Sequence, residues 1–399
     1  MAQSPAKPPR DHRLDFFRGC ALVFIFIDHI PDNILSTVTL RSFAFADAAE
    51  VFIFISGYTA ALVFGSVLVN DGRIMASARI LRRVWQLYLA HLVLFMLYNA
   101  QVVYTVQHFD NPLFADELRV GEYLEHSYEA FLNAVLLKFQ PSLLNILPLY
   151  VALLLIFPLV LIAIAIHPLV ALVPSALLYA AVQFWHINLP GYPEDTEWFF
   201  NPFAWQFLFV IAAVFGFATV PRQAPAGRAR PPRPFPPWIV APAIAVALAG
   251  ALFMGSDMLH DQFGLPLLWN IPLWIVDKTP LPPTRLASVL ALAVLVARFI
   301  PRDAGILTSR PAWLLVLCGR SSLEIFGLTI LLSVLGTTLM TVVGRTLVVQ
   351  LAINLAGIAM MLGTGLVMAW YGGGGKLPAR PGTRRNPTAL ANPHPAPPP

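Results

Sequence analysis

The 399-residue chain is 57% hydrophobic and only 12% charged, with a net charge of +5. A soluble domain needs roughly a quarter of its residues charged to cover its surface, so this composition excludes a soluble protein of this size. Two cysteines, Cys20 and Cys318, lie in apolar stretches and indicate neither a disulfide framework nor a zinc site. The apolar residues come in blocks of about 20, the length that a helix needs to cross a bilayer.

Ten such blocks predict an all-α, polytopic bundle of about ten transmembrane helices. They lie near residues 14–31, 49–69, 84–106, 144–166, 169–187, 202–220, 238–254, 286–300, 313–338 and 346–370. With that count, 18 of the 26 Lys and Arg residues fall on the side that holds both termini, and six lie in the segments on the other side. Because positively charged loops stay in the cytoplasm, both termini are predicted to be cytoplasmic.

The chain therefore divides into three parts. Residues 1–13 form a cytoplasmic N-terminal segment, 14–371 a membrane-embedded domain, and 372–399 a disordered cytoplasmic tail rich in Pro, Gly and Arg. A Pro- and Arg-rich linker, Pro221–Pro237, lies between two spans. The basic charge is explained by membrane topology, so it does not indicate nucleic-acid binding.

The first span carries four ionisable residues: Asp15, Arg18, Asp28 and His29. Ionisable groups are expensive in lipid, so each is a candidate functional residue. Arg18 and His29 are eleven positions apart, which places them about 20° apart around a helix and roughly 16 Å apart along it. Asp15 lies one turn before Arg18 and is expected to pair with it. In a purely structural alternative, Asp15 and Arg18 anchor the helix at the interface and His29 caps its end.

The second span opens with Asp47-Ala-Ala-Glu50 and continues to Ser56-Gly57-Tyr58. Glu50 lies near the outer end of this span and is a candidate functional acid. Ser56 and Gly57 allow either a close helix approach or a small polar contact.

Three later regions add candidates. Trp205 and Gln206 open the sixth span and suit contact with a sugar, although Trp is more often an interfacial anchor. Lys278 and Arg285 precede the eighth span in an outer loop, where they suit an anion or a carbohydrate.

In the ninth span, Arg320 and Glu324 lie four positions apart on one predicted helix face, where they also neutralise each other. The sequence contains no Walker loop, dinucleotide fingerprint, metal-ligand spacing or nucleophile elbow.

Several of these fragments resemble one family. The stretch Arg13-Leu-Asp15-Phe-Phe-Arg18-Gly19, with Asp28-His29 at the end of its span, resembles the opening of the OpgC family, membrane proteins that modify osmoregulated periplasmic glucans. The resemblance continues in order to about residue 330, through the fragments that begin at Asp47, Leu147, Asn201, Asp277 and Gly319. The wider relatives are the acyltransferase-3 membrane enzymes, whose first span has an arginine and a histidine at the spacing of Arg18 and His29. Those relatives often have a second histidine in a late span, and the matching region, Ser322 to Thr329, has none.

The resemblance implies an inner-membrane O-acyltransferase. It transfers an acyl group, succinyl by family analogy, from a cytoplasmic acyl-CoA to hydroxyls of a periplasmic glucan. The donor is a substrate, and no tightly bound cofactor or metal is expected. The lipid bilayer, the donor and the glucan are the expected partners, with glucan-synthesis proteins as further partners.

The residues above receive roles in that interpretation. The catalytic candidates are His29, Arg18, Asp28 and Glu50. The substrate-binding candidates are Asp15, Ser56, Tyr58, Trp205, Gln206, Lys278, Arg285, Arg320 and Glu324. The candidates for the donor's phosphates are Arg79, Arg82 and Arg83, which the positive-inside rule also explains.

Two other classes of protein fit the same charges. A proton-coupled transporter for a glycan-related or anionic small molecule would use the intramembrane Arg, Asp and His as a proton relay, although the sequence shows no internal repeat. A non-catalytic scaffold of a glucan-synthesis complex is the third. Transfer from a labelled donor separates the enzyme from both.

Overall fold

The computed structural model describes residues 11–109, 121–220, 235–267, 272–302 and 304–378. Within those ranges the regular elements are helices, together with two isolated β-bridges. The helices are α1 His12–Asp28, α2 Ala48–Phe109, α3 Gly121–Glu125, α4 Ser127–Val135, α5 Ile146–Ile166, α6 Pro168–Trp185, α7 Pro202–Ala218, α8 Pro237–Phe263, α9 Leu273–Val276, α10 Pro283–Phe299, α11 Arg310–Arg320, α12 Ser322–Val343 and α13 Leu347–Gly372. Short 3-10 turns are Ile34–Val38, Leu40–Ser42 and Gly305–Thr308.

This architecture confirms the predicted all-α membrane class. In the described residues, six helices are long and apolar enough to cross a membrane, namely α2, α5, α6, α8, α12 and α13, and α7 is apolar but shorter. The count of ten spans and the cytoplasmic placement of the termini stay predictions. Most of the N-terminal segment, most of the Pro- and Arg-rich linker and residues 379–399 of the tail lie outside the described residues.

Helix α2 is two helices joined at a glycine. Its 62 residues correspond to about 93 Å, three times the thickness of a bilayer core. At Gly72 the backbone turns with φ 87° and ψ 175°, a conformation that glycine adopts without a side-chain clash. Residues 48–71 form the first arm and residues 73–109 the second arm, and they contain the second and third predicted spans.

The ninth predicted span is interrupted. Helix α11 ends at Arg320, and α12 begins at Ser322 after a non-helical Ser321 (φ −104°, ψ 44°). The single continuous helix predicted for residues 313–338 is therefore wrong. Serine side chains compete for backbone hydrogen bonds, so a break is compatible with the Ser321-Ser322 pair.

Two pairs of glycines allow helices in the centre of the bundle to cross at very short distances. A Cβ on Gly19 of α1 would overlap the carbonyl oxygen of Leu315, and one on Gly319 would overlap that of Asp15. Gly57 of α2 and Gly216 of α7 approach the backbones of Phe209 and Tyr58 in the same way. Small residues let helix backbones come this close, so the close approach predicted at Ser56-Gly57 is confirmed.

Candidate functional site

The N-terminal end of α2, predicted to face outward, is closed by a capping box. Asp47 is the residue before the helix, and its Oδ1 accepts a hydrogen bond from the Ala49 amide at 2.8 Å. Glu50 reaches back, and its Oε2 accepts from the Asp47 amide at 2.9 Å. Reciprocal bonds of this kind satisfy amides that a helix start leaves unpaired, and the positive end of the helix dipole favours both acids. One oxygen of Glu50 therefore has a structural role.

Two cations neutralise these buried acids. Arg285, at the start of α10, donates from Nε to Glu50 Oε1 at 2.7 Å, and its Nη2 lies 3.2 Å from Asp47 Oδ2. The Nη2 contact is close enough for ion pairing but is not aligned as a hydrogen bond. Lys278 also pairs with Asp47 Oδ2. Glu50 is 0% exposed and Arg285 is 5% exposed, so the pairing is what makes their burial tolerable.

The loop that presents Lys278 is held by its backbone. Trp205 Nε1 donates to the Lys278 carbonyl at 3.0 Å, and the Asn201 amide donates to Thr279 at 3.2 Å. From α6, Gln183 donates to Pro280 at 2.7 Å and Tyr179 to Leu281 at 2.8 Å. Four consecutive carbonyls, residues 278–281, are thus fixed in place.

This arrangement changes the interpretation of the sixth span. Trp205 is 0% exposed, so in this structure it meets neither sugar nor headgroups. Gln206 is buried as well, and its Oε1 accepts from Ser175 Oγ at 2.5 Å. Trp205 supports the Lys278 loop, and Gln206 supports the α6–α7 contact that positions this loop.

The end of α1 lies beside the same charges. Asp28 accepts a hydrogen bond from Thr39 Oγ1 at 2.6 Å. Lys278, Asp47 and Arg41 are close enough to act electrostatically on both Asp28 and His29. Residues predicted from three separate segments therefore lie within electrostatic reach of one another, and we call this group the outer site: Asp28, His29, Asp47, Glu50, Lys278 and Arg285.

His29 has a defined hydrogen-bonding arrangement within the outer site. It is the C-cap of α1, and its Nδ1 lies 2.5 Å from the Ile25 carbonyl. A carbonyl only accepts, so Nδ1 carries the hydrogen and the neutral ring presents a lone pair on Nε2. The residue as a whole is partly exposed. The capping contact expected in the structural alternative is present, and it leaves Nε2 available for chemistry.

Arg18 lies deeper along the unbroken α1 helix. Its Nη2 donates to Thr59 Oγ1 at 2.8 Å and lies 3.5 Å from the Ile55 carbonyl, so it ties α1 to the first arm of α2. Asp15 is 3% exposed, and its Oδ2 lies 3.6 Å from Arg320 Nε. The Asp15–Arg18 pair stays a prediction.

The remaining substrate-binding candidates lie apart from the outer site. Glu324 is exposed, and because α11 ends at Arg320, the single helix face predicted for these two residues is wrong. Tyr58 donates to Thr219 Oγ1 at 3.4 Å on the side facing α7. Ser56 is 3% exposed at the close crossing of α2 and α7.

The three candidate donor arginines differ in their surroundings. Arg79 is exposed and pairs with Asp71 at 3.1 Å, and Arg82 is exposed. Arg83 is half-buried and lines a cavity of about 20 Å³ between the two arms of α2, α5 and α12. The other lining residues are Phe52, Leu87, Ile146, Leu147, Tyr150, Ser322, Leu323 and Phe326. Arg83 therefore differs from the exposed Arg79 and Arg82, because its side chain lines a cavity.

The sequence alone assigns no role to Asp47 or to Thr59. Asp47 belongs to the motif that opens the second span, and an acid three positions before Glu50 at a helix start is the signature of a capping box. Thr59, the partner of Arg18, carries no such signal because the contact joins two helices.

One of three comparisons with known proteins identifies a family. The family model of the OpgC protein matches residues 10–373, nearly the whole chain. Searches among curated proteins and among solved structures give no significant match. The match covers α1, the outer site and the last apolar helix together. The chain therefore belongs to the OpgC protein family, whose members are modifying membrane enzymes of the transferase type.

Proposed function

We propose that the chain is an O-acyltransferase that moves an acyl group from a cytoplasmic thioester to a hydroxyl of a periplasmic glucan. The observation that supports this most is His29, because its Nδ1 is occupied by the Ile25 carbonyl and its Nε2 lone pair lies at the partly exposed outer site. A positioned neutral imidazole is the commonest general base in proteins.

The proposed reaction is a direct transfer. His29 Nε2 removes the proton of the glucan hydroxyl as its oxygen attacks the thioester carbonyl. The carbon–sulfur bond breaks, and the imidazolium returns the proton to the leaving thiolate. The product is an ester on the glucan and a free thiol.

Lys278 supports an anionic acyl group. Its side chain is 37% exposed, unlike that of Arg285, and it meets Asp47 on one side only. A half-exposed cation beside His29 favours a substrate group with its own carboxylate. Succinyl, the group implied by the family resemblance, is such an acyl group.

The donor is proposed to approach from the other end of α1. Arg83 lies on the side of the basic connection and is a candidate for the donor's phosphates. Arg18 lies between that end and the outer site, roughly 16 Å from His29 along the helix. The pantetheine arm of coenzyme A has about that length, so the thioester reaches the outer site while the phosphates stay in the cytoplasm.

Transfer of label in proteoliposomes tests the proposal. Full-length protein is supplied with succinyl-labelled succinyl-CoA on the Arg83 side and glucan on the other side, and label in the glucan is measured. Wild type is expected to transfer, and His29→Gln to lose about 10²–10⁴-fold in rate, because glutamine caps α1 but cannot accept a proton.

Two outcomes would contradict it. If His29→Gln transfers label at the wild-type rate, His29 is only a helix cap. If label crosses the membrane without becoming covalently attached to glucan, the chain is a transporter.

A further inference from the structure

His91 is a polar side chain that lies unpaired in the bundle interior, away from the outer site. His91, in the second arm of α2, is 0% exposed, and neither Nδ1 nor Nε2 has a hydrogen-bond partner among the described residues. A buried polar group without a partner destabilises the fold, so packing alone favours leucine or phenylalanine here. An unpaired imidazole at this buried position therefore indicates that a ligand binds there.

The neighbours of His91 on its helix define which way it faces. Leu87, one turn earlier, lines the cavity between α2, α5 and α12. Leu94, three positions later, lies against Gly327 of α12. Residues three and four apart share one face of a helix, so His91 faces α12, one turn beyond the cavity residue Leu87.

Along the second arm of α2, three kinds of side chain follow one another at and beyond the cavity. Arg83 lines the cavity and lies eight residues, or about 12 Å, before His91 along the helix. The other lining residues are largely apolar, such as Leu87 and Phe326. A cation, an apolar wall and an imidazole in this order match a linear molecule with an anionic head and a thin arm that carries amides.

We propose that this cavity takes the arm of the thioester donor and that His91 hydrogen-bonds one of its amides. A neutral imidazole has one donor and one acceptor, as does an amide, so the two groups complement each other. His91 is a positioning residue, since the acyl carbon lies further along at His29. This inference rests on the proposed acyl transfer.

The break in the ninth span gives the cavity a means to widen. At about 20 Å³ it holds a single water molecule, so the arm needs more room. Ser322, the first residue of α12, lines the cavity directly after the interruption at Ser321. A hinge there lets α12 move away from the second arm of α2 while α11 stays locked on α1.

The experiment uses two variants of His91 and coenzyme A as the probe. Full-length protein in detergent is titrated with coenzyme A by calorimetry, and the KM values for succinyl-CoA and glucan are measured. His91→Leu is expected to be as heat-stable as wild type or more so, and to bind coenzyme A about two- to tenfold more weakly. Its KM for the donor rises accordingly, and its KM for glucan is unchanged. His91→Gln, which keeps a donor and an acceptor, recovers part of the affinity.

Asn99→Leu is the matched control. Asn99 is buried on the same arm, two turns beyond His91, and its Oδ1 also lacks a partner among the described residues. It lies away from the cavity, so its coenzyme A affinity should equal that of wild type.

Wild-type affinity in His91→Leu would overturn the inference, whatever the stability of that variant. An equal loss of affinity in Asn99→Leu would also overturn it, because the effect would then come from general packing. A wild-type protein that neither binds coenzyme A nor transfers label fails one step earlier and refutes the proposed function itself.

Discussion

Replacing Arg285 with methionine removes the cation that neutralises two buried carboxylates. Glu50 loses its only guanidinium contact among the described residues, and Asp47 keeps Lys278 as its paired cation. Removing one partner of a buried ion pair typically destabilises a protein by about 3–5 kcal/mol, because the remaining charge is stranded. The capping box at the start of α2 should also loosen, since Glu50 belongs to both interactions. Arg285→Met is therefore expected to lower stability by about 3–5 kcal/mol and to disorder the outer site.

Two comparisons make this measurement specific. Lys278→Met removes a cation from the same Asp47, but the lysine is partly exposed, so a loss under about 1 kcal/mol is expected. The double variant Glu50→Leu/Arg285→Met removes the stranded acid with the base and should recover most of the loss. Denaturant unfolding in mixed micelles, followed by tryptophan fluorescence, gives the three free energies. Equal losses in Arg285→Met and Lys278→Met would refute the reasoning that burial decides the value of these pairs.

Three further predictions follow from other parts of the bundle. Gly319→Leu should prevent folding, because any side chain there overlaps the Asp15 carbonyl. The amount of protein in the membrane measures this, and wild-type amounts would contradict the close crossing of α1 and α11. Arg18→Lys should insert normally but transfer acyl groups poorly, since a lysine lacks the planar guanidinium, and labelled-donor transfer measures this; full activity would make Arg18 an anchor. In a background with Cys20 and Cys318 replaced by serine, Ser127→Cys should react with an impermeant thiol reagent in intact cells, and Ala78→Cys should react only after the membrane is opened. Labelling of both exposed positions from outside would overturn the predicted topology.

The features that the sequence predicted are local or periodic. Apolar block length placed helix at each predicted span, although two helices cover the ninth, and the two arms of α2 were predicted because basic residues separate their apolar stretches. The close approach at Ser56-Gly57 followed from small side chains in a span. Each of these signals lies within a few turns of one helix, where residue type and spacing are sufficient.

The features that it missed join distant parts of the chain. Glu50 and Arg285 were assigned to catalysis and substrate binding from separate segments, yet they form one ion pair across 235 positions. Trp205 was expected at a sugar or the headgroups, and it holds the Lys278 carbonyl instead. The interruption at Ser321 lacks a proline, so an apolar pattern that continues on both sides conceals it. The local sequence around a residue does not show which residue of another helix will be its ion-pair or hydrogen-bond partner.

Pairing also decides which candidates remain suited to chemistry. The oxygens of Glu50 are occupied by the Asp47 amide and by Arg285, so using Glu50 as a base would require breaking the cap of α2. Asp28 is engaged by Thr39 but keeps a second carboxylate oxygen. His29 differs from both, because its one structural contact uses Nδ1 and leaves the Nε2 lone pair unused, within electrostatic reach of Lys278. The acids of the outer site thus fix the geometry, and the imidazole is the group whose proton can move without unfolding a helix end.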